Sequence, residues 1–190
     1  AGRPAMTAVS PPTLWTIGHS TRPIDEFIAL LRAHTIAELI DVRTVPRSRH
    51  NPQFNTDALA QSLQAAEILY RHMPALGGLR KPKKDSRNSG WRNESFRGYA
   101  DYMQTEEFER ALEELMADSQ VRRTAVMCAE AVPWRCHRSL IADALISRGW
   151  EVRHIMTETK ADQHRLTSFA VVENGILSYP DPDAPSRLFD

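Results

Sequence analysis

The chain has 190 residues, 24 Lys+Arg against 24 Asp+Glu, 42% hydrophobic residues and two cysteines. This length is enough for one domain with a substantial core. With no run of about 18 apolar residues, no basic-then-apolar start and too few cysteines for a disulfide scaffold, the sequence argues against a membrane span, a secretory signal and an oxidising compartment, and predicts a cytoplasmic protein.

Residues 1–12 read as a flexible lead, with Ala1 to Ala5 as an appended remnant before a start at Met6, and residues 13–190 as one α/β domain. Leu14 to Gly18 predicts a strand, after which Thr21 and Pro23 open a helix with Ile24, Phe27, Ile28 and Leu31 on its apolar face. Glu38 to Val42 predicts a second strand. A proline-broken loop from Arg43 to Asn55 leads into a helix carrying Leu59, Leu63 and Ala66. Ile68 to Met73 predicts a third strand, closed by Pro74 and the Gly77-Gly78 pair. Arg80 to Arg97 reads as a basic loop without periodicity, followed from about Gly98 by one long helix with Phe108, Ala111, Leu112, Leu115 and Met116 inward. Thr124 to Cys128 predicts a fourth strand, Ser139 to Arg148 a helix stopped by Gly149, and Val152 to Met156 a fifth strand. Phe169 to Pro180 predicts a strand pair turning at Glu173-Asn174-Gly175. Short apolar strands alternating with helices predict a single-domain, Rossmann-like three-layer α/β sandwich with a mainly parallel sheet.

In such a sheet the C-terminal strand ends share one edge, where ligand sites form. That edge collects His19 after the first strand, Arg43 after the second, and Glu130, Arg135, Cys136, His137 and Arg138 after the fourth. Glu130, at the end of an apolar run, is the candidate general acid or base, with His19 or His137 exchanging a proton. Cys136, beside cations at a helix start, is the candidate nucleophile, and Cys128 reads as a core residue. Arg43, Arg47, Ser48, Arg49 and Asn55 in the proline-broken loop are candidates to hold an anion, as are Arg135 and Arg138 at the helix N-terminus. The segment Gly77 to Tyr102 mixes Arg80, Arg97 and other cations with Tyr99 and other aromatics, a pattern suited to a phosphate backbone or to a lid. It lies in the basic stretch of the chain. Asp41 to Gly98 holds eleven Lys+Arg and five Asp+Glu, whereas Asp101 to Asp118 holds seven acids and one arginine.

Spacing argues against three familiar arrangements. Six residues separate Cys128 from Arg135, not the five of a phosphatase loop; there is no pair of short Cys spacings for zinc; and Gly18 is the only glycine after the first strand, so no dinucleotide fingerprint is present. The cofactor is therefore left unknown and no metal ligand is assigned. The expected function is an enzyme binding a phosphate-bearing small molecule or nucleic acid, with Glu130 as general acid or base. A non-catalytic nucleic-acid-binding module and a thiol redox or metal-binding protein are the alternatives.

Taken together, Thr16 to Ser20, Asp41 to Arg43, Ser48-Arg49, Pro52 to Asn55, Leu76 to Arg80, Phe96 to Met103, Cys128 to Glu130, Cys136 to Arg138 and His164 to Thr167 resemble the domain-of-unknown-function 488 family. Ser168 departs from the proline common there. The resemblance implies a bacterial or archaeal single-domain α/β protein and carries no established reaction.

Overall fold

The computed structural model describes residues 10–184. Most of the lead expected over residues 1–12, and residues 185–190 of the expected domain, lie outside that range. Strands β1 (Thr13–Gly18), β2 (Glu38–Asp41), β3 (Leu69–His72), β4 (Thr124–Cys128), β5 (Glu151–Ile155) and β6 (Ala161–Gln163) form one sheet in the order β3-β2-β4-β1-β5-β6. All neighbours pair in parallel except β6, which runs antiparallel to β5. The fold is the mainly parallel α/β sandwich that the strand-helix alternation predicts.

Period-2 alternation along the strands makes the two cores. Leu14, Ile40 and Val126 face the layer built from α3 (Glu94–Tyr102), α4 (Glu106–Val121) and α5 (Arg138–Ile146), where Leu112, Leu115 and Leu140 cover them. Trp15, Ile17 and Leu39 point the other way, onto Phe27 and Leu31 of α1 (Ile24–Ala33) and Leu59 and Leu63 of α2 (Thr56–Ala65). Each fully buried side chain of this size contributes roughly 1.5–3 kcal/mol, so the two layers are held by the sheet between them. Cys128 falls on the α3–α5 side, in phase with Val126.

Three elements differ from the sequence expectation. The segment from Arg80 is not aperiodic up to Arg97, and the helix after it is not continuous from Gly98. Asn93 starts α3 early, because its Oδ1 accepts the N–H groups of Ser95 (2.9 Å) and Phe96 (3.2 Å). The helix then breaks at Met103–Thr105, where the Thr105 hydroxyl oxygen accepts the Phe108 N–H and starts α4. Strand β6 is short and polar, with too little alternation to be recognised in isolation. Replacing Asn93 by Ala is expected to cost about 1 kcal/mol, read as a lower urea midpoint with an unchanged slope.

β7 (Val171–Glu173) and β8 (Ile176–Ser178) form the expected hairpin, with Asn174 (φ 51°) and Gly175 (φ 76°) in its two-residue turn. Among the described residues no helix is long and apolar enough to cross a membrane.

Candidate functional site

Register decides what meets at the sheet edge. Gly18 of β1 lies opposite Cys128 of β4, and Asp41 of β2 lies opposite Met127 of β4 and His72 of β3. Three strands therefore end level. The chain leaves β1 toward β2 and leaves β4 toward β5 on its other side, and such a switch point opens a crevice at the C-terminal ends.

The floor of that crevice is a closed ion pair. Arg43 forks onto Asp41, with Nη2 to Oδ2 at 2.6 Å and Nε to Oδ1 at 2.9 Å, and both side chains are buried. The Tyr70 hydroxyl donates to Asp41 Oδ2 at 2.6 Å, and Arg43 Nη2 also donates to the Phe54 carbonyl at 2.7 Å. Arg43 Nη1 is left facing His19 Nε2 at 3.5 Å. Since His19 Nδ1 donates to the Ser20 carbonyl at 2.8 Å, its Nε2 is the unprotonated nitrogen that receives Arg43. Burial, with the Arg43 charge, holds the His19 pKa below its ordinary value. The ring stacks on Phe54 at 4.3 Å and is only 2% exposed, so His19 lies under the floor and not in the crevice.

Beyond Cys128 the chain stays tied to β1: His19 N–H donates to the Cys128 carbonyl at 2.9 Å and Ser20 N–H to that of Ala129 at 3.0 Å. Arg138 then enters the fold. It is 0% exposed, and its Nη2 donates to the carbonyls of Glu130 (3.2 Å) and Ala131 (3.0 Å), holding the loop from beneath. Its Nη1 donates to Thr16 Oγ1 at 3.4 Å, and its Nε has no partner. From Thr16 a buried chain runs through His154 (2.5 Å), His164 (2.8 Å) and Asp143 (2.7 Å). Asp143 also accepts from the Thr167 hydroxyl at 2.6 Å and the Tyr179 hydroxyl at 2.7 Å.

The two thiols are free and buried. His137 Nε2 donates to the Val42 carbonyl at 3.0 Å, which leaves Nδ1 as an acceptor 3.6 Å from Cys136 Sγ. Burial lowers the His137 pKa to about 4, so the imidazole is neutral at pH 7. Burial pushes the Cys136 thiol well up, and the adjoining Cys128 sulfur adds to this. The Cys128 thiol donates to the Glu130 carbonyl at 3.7 Å, and burial works against its ionisation while the Arg138 charge favours it. Cys128, read from the sequence as a core residue, is 2% exposed, and it also lines the adjoining cavity. Gly78 completes this wall, because a Cβ there would stand 2.6 Å from His137 Nδ1.

A cavity of about 470 Å³ opens above these groups, lined by Arg43, Arg47, Cys128, Glu130, Arg135, Cys136 and His137, with Gly78, Leu79 and Phe96 opposite. Of the residues expected at a site, Arg43, Arg47, Glu130, Arg135, Cys136 and His137 are brought together there. Glu130 is exposed, and it, Arg47 and Arg135 form no ion pair among the described residues. The others are placed elsewhere. The Ser48 N–H bonds Asn55 Oδ1 at 2.7 Å, so this pair closes its own loop, with exposed Arg49 beside it. Arg80 lies 3.6 Å over the Tyr102 ring, and Arg97 donates to the Trp91 carbonyl at 3.2 Å. Two expectations of anion binding need correction. Tyr99 is 0% exposed with its hydroxyl spent on the Leu76 carbonyl, and Arg138 is 0% exposed beneath the loop, so neither presents a donor to the cavity.

Leu79 enters the site with no catalytic signature beyond the adjoining Gly77-Gly78 pair, and Phe96 enters as one of the aromatics of the basic segment. A larger cavity of about 560 Å³ lies between Lys83, Arg87, Glu106, Glu109 and Arg148, but it has no thiol or histidine and its cations are matched by acids. Among the described residues no three His, Cys, Asp or Glu side chains are grouped as a metal site.

The family model described as domain of unknown function DUF488 matches residues 23–145, more than half of the chain. The match takes in β2 to β4 and nearly all of α5, including every residue named above as lining the 470 Å³ cavity. No curated protein and no solved structure matches.

Proposed function

This chain belongs to the DUF488 family, whose description names no reaction, and from that premise we propose that it is an enzyme acting on a phosphate-bearing substrate in the cavity at the C-terminal edge of its sheet. The observation that carries this reading is the convergence on one cavity of a free carboxylate, two thiols, a neutral imidazole and three arginines. Arg47 and Arg135 hold the phosphate, because their guanidiniums are exposed and unengaged by acids among the described residues, and a guanidinium fork matches phosphate oxygens. Arg43 is largely spent on Asp41 and contributes its charge from the floor. Glu130 moves a proton at the reacting centre as general acid or base. The apolar remainder of the substrate lies against Val45 and Leu79, which are 59% and 77% exposed on the rim.

The alternative of an open nucleic-acid-binding surface along Gly77 to Tyr102 is less favoured. Its Trp91 packs on Phe96, Phe169 and Tyr179, and Tyr99 and Tyr102 are buried against Phe108, so few of its aromatic faces are left for bases.

Thermal shift against inorganic phosphate, nucleoside monophosphates, phosphosugars and short DNA and RNA tests the reading. A ligand at one hundred times its Kd is expected to add about 2.7 kcal/mol. Arg47→Ala with Arg135→Ala should abolish that gain, while Glu130→Gln should keep it and lose turnover. If no phosphate-bearing compound stabilises the protein, or if the double arginine variant binds unchanged, the reading is wrong.

A further inference from the structure

Three apolar side chains that folding leaves wholly or partly uncovered line the cavity. Leu79 is 77% exposed, Val45 is 59% exposed, and Phe96 is half-buried. Single exposed apolar residues are ordinary, but a group of them around a cavity that also holds charged side chains marks a ligand surface. The backbone that carries Leu79 is fixed. Its N–H donates to the Thr44 hydroxyl oxygen at 3.2 Å, and the next residue, Arg80, lies 3.6 Å over the Tyr102 ring. The two preceding glycines allow this close seat: a Cβ at Gly77 would stand 2.5 Å from Thr44 Oγ1, and one at Gly78 2.6 Å from His137 Nδ1. The segment is therefore anchored on both sides of Leu79, while the Leu79 side chain stays outside both cores.

The start of α3 adds polar groups to the same cavity, which Asn93 and Ser95 also line. Asn93 Oδ1 is spent on the N–H groups of Ser95 and Phe96, but the Asn93 amide nitrogen and the Ser95 hydroxyl form no hydrogen bond among the described residues. The cavity thus offers guanidiniums for a phosphate, an unengaged amide and hydroxyl, and an apolar wall. A phosphosugar fits the first two and not the third. Its hydroxyls would lose water against Leu79 and Val45 without gaining a partner. A planar heterocycle gains there, because its faces pack on apolar and aromatic side chains while its edge keeps polar atoms free. The flanking aromatics Trp91, Tyr99 and Tyr102 are packed on other rings, so the wall has room for one base and not for a row of them.

We infer that this wall seats a nucleobase and that the substrate is a mononucleotide. Its base lies against Leu79 and Phe96 and its phosphate on Arg47 and Arg135. The inference rests on the phosphate reading of the cavity and names the substrate class within it.

Calorimetric titration of the full chain at physiological salt tests it, with nucleoside monophosphates, free nucleosides, ribose phosphate, inorganic phosphate and short RNA and DNA as titrants. Nucleoside monophosphates are expected to bind about tenfold more tightly than ribose phosphate, the worth of one stacked base. Leu79→Ser and Phe96→Ala should each remove most of that difference and leave the affinity for ribose phosphate unchanged. Phe96 packs on Trp91, so if Phe96→Ala does not fold, Leu79→Ser at its exposed position carries the test alone. Equal affinity for ribose phosphate and every nucleoside monophosphate overturns the inference and leaves the phosphate reading standing, as does a preference for the monophosphates that neither variant weakens. Tighter binding of RNA or DNA than of any monophosphate overturns the assignment to a mononucleotide. Nucleosides that bind as tightly as their monophosphates sink the phosphate reading and leave the seat for a base standing. Absence of binding by all of these compounds overturns both.

Discussion

Between pH 6.5 and pH 4 the protein is expected to lose of order 5 kcal/mol of stability. Two histidines drive this loss. His137 has its pKa lowered from 6.5 to about 4, and His154 from 6.5 to about 3, in both cases chiefly by burial. In the unfolded chain both take a proton as the pH falls through 6.5, while in the folded protein neither does until much lower. The unfolded state therefore binds more protons throughout that window, and stability falls with pH at up to about 2.7 kcal/mol per unit when both contribute.

The structural cause differs at the two rings. His137 has one nitrogen on the Val42 carbonyl and the other on the Cys136 thiol. His154 is fixed between Thr16 and His164, where a second ring proton would face an existing donor. His19, also lowered by burial, acts in the same direction. A loss of this size is comparable with the whole stability of a small domain, which is about 5–15 kcal/mol. Urea unfolding at successive pH values measures it, and a flat profile from pH 6.5 to 4 would refute it.

Gly18→Ala is expected to cost about 3 kcal/mol or more. A Cβ at Gly18 would fall on the Glu130 carbonyl oxygen, 2.7 Å from its carbonyl carbon and 3.0 Å from Ala131 Cα. All three are backbone atoms, so no rotamer change relieves the clash. Either β1 must part from β4 or the loop must lift off Arg138, breaking the two carbonyl contacts that hold Glu130 in place. Gly149→Ala is the comparison: its φ of +83° is unfavourable for alanine, but nothing lies within 4 Å of the added atom. It should cost only about 1 kcal/mol. Equal denaturation midpoints for the two variants would show that the close approach at Gly18 does not matter.

The Gly18 contact also marks the limit of what can be read along the chain. A glycine ending a strand was visible, and so were the five apolar strands that carry Gly18, Asp41 and Cys128 to a common edge. Period-2 alternation reports burial residue by residue, so the layers and the strand ends follow from it directly. The start of α3 was missed because Asn93 follows a basic, aperiodic segment, and its capping role appears only once the N–H groups of Ser95 and Phe96 are placed. Strand β6 was missed because three polar-leaning residues make a strand only when β5 is there to pair with.

By itself the sequence determined the α/β architecture, the edge at which chemistry is proposed and six residues that line its cavity: Arg43, Arg47, Glu130, Arg135, Cys136 and His137. Only the tertiary structure decided which polar groups are available there. Arg138 and Tyr99 look like ligands in the sequence and are buried, while of the exposed arginines in the proline-broken loop Arg47 lines the cavity and Arg49 does not. Cys128 looks like a core residue in the sequence; it is buried and yet lines the cavity. The chain from Thr16 through His154 and His164 to Asp143 joins four separate segments and has no pattern along the sequence. The physical reason is the same in each case. Burial of an apolar face is a local periodic property, whereas satisfying a buried charge or hydrogen bond depends on partners that only the folded chain brings within about 3 Å.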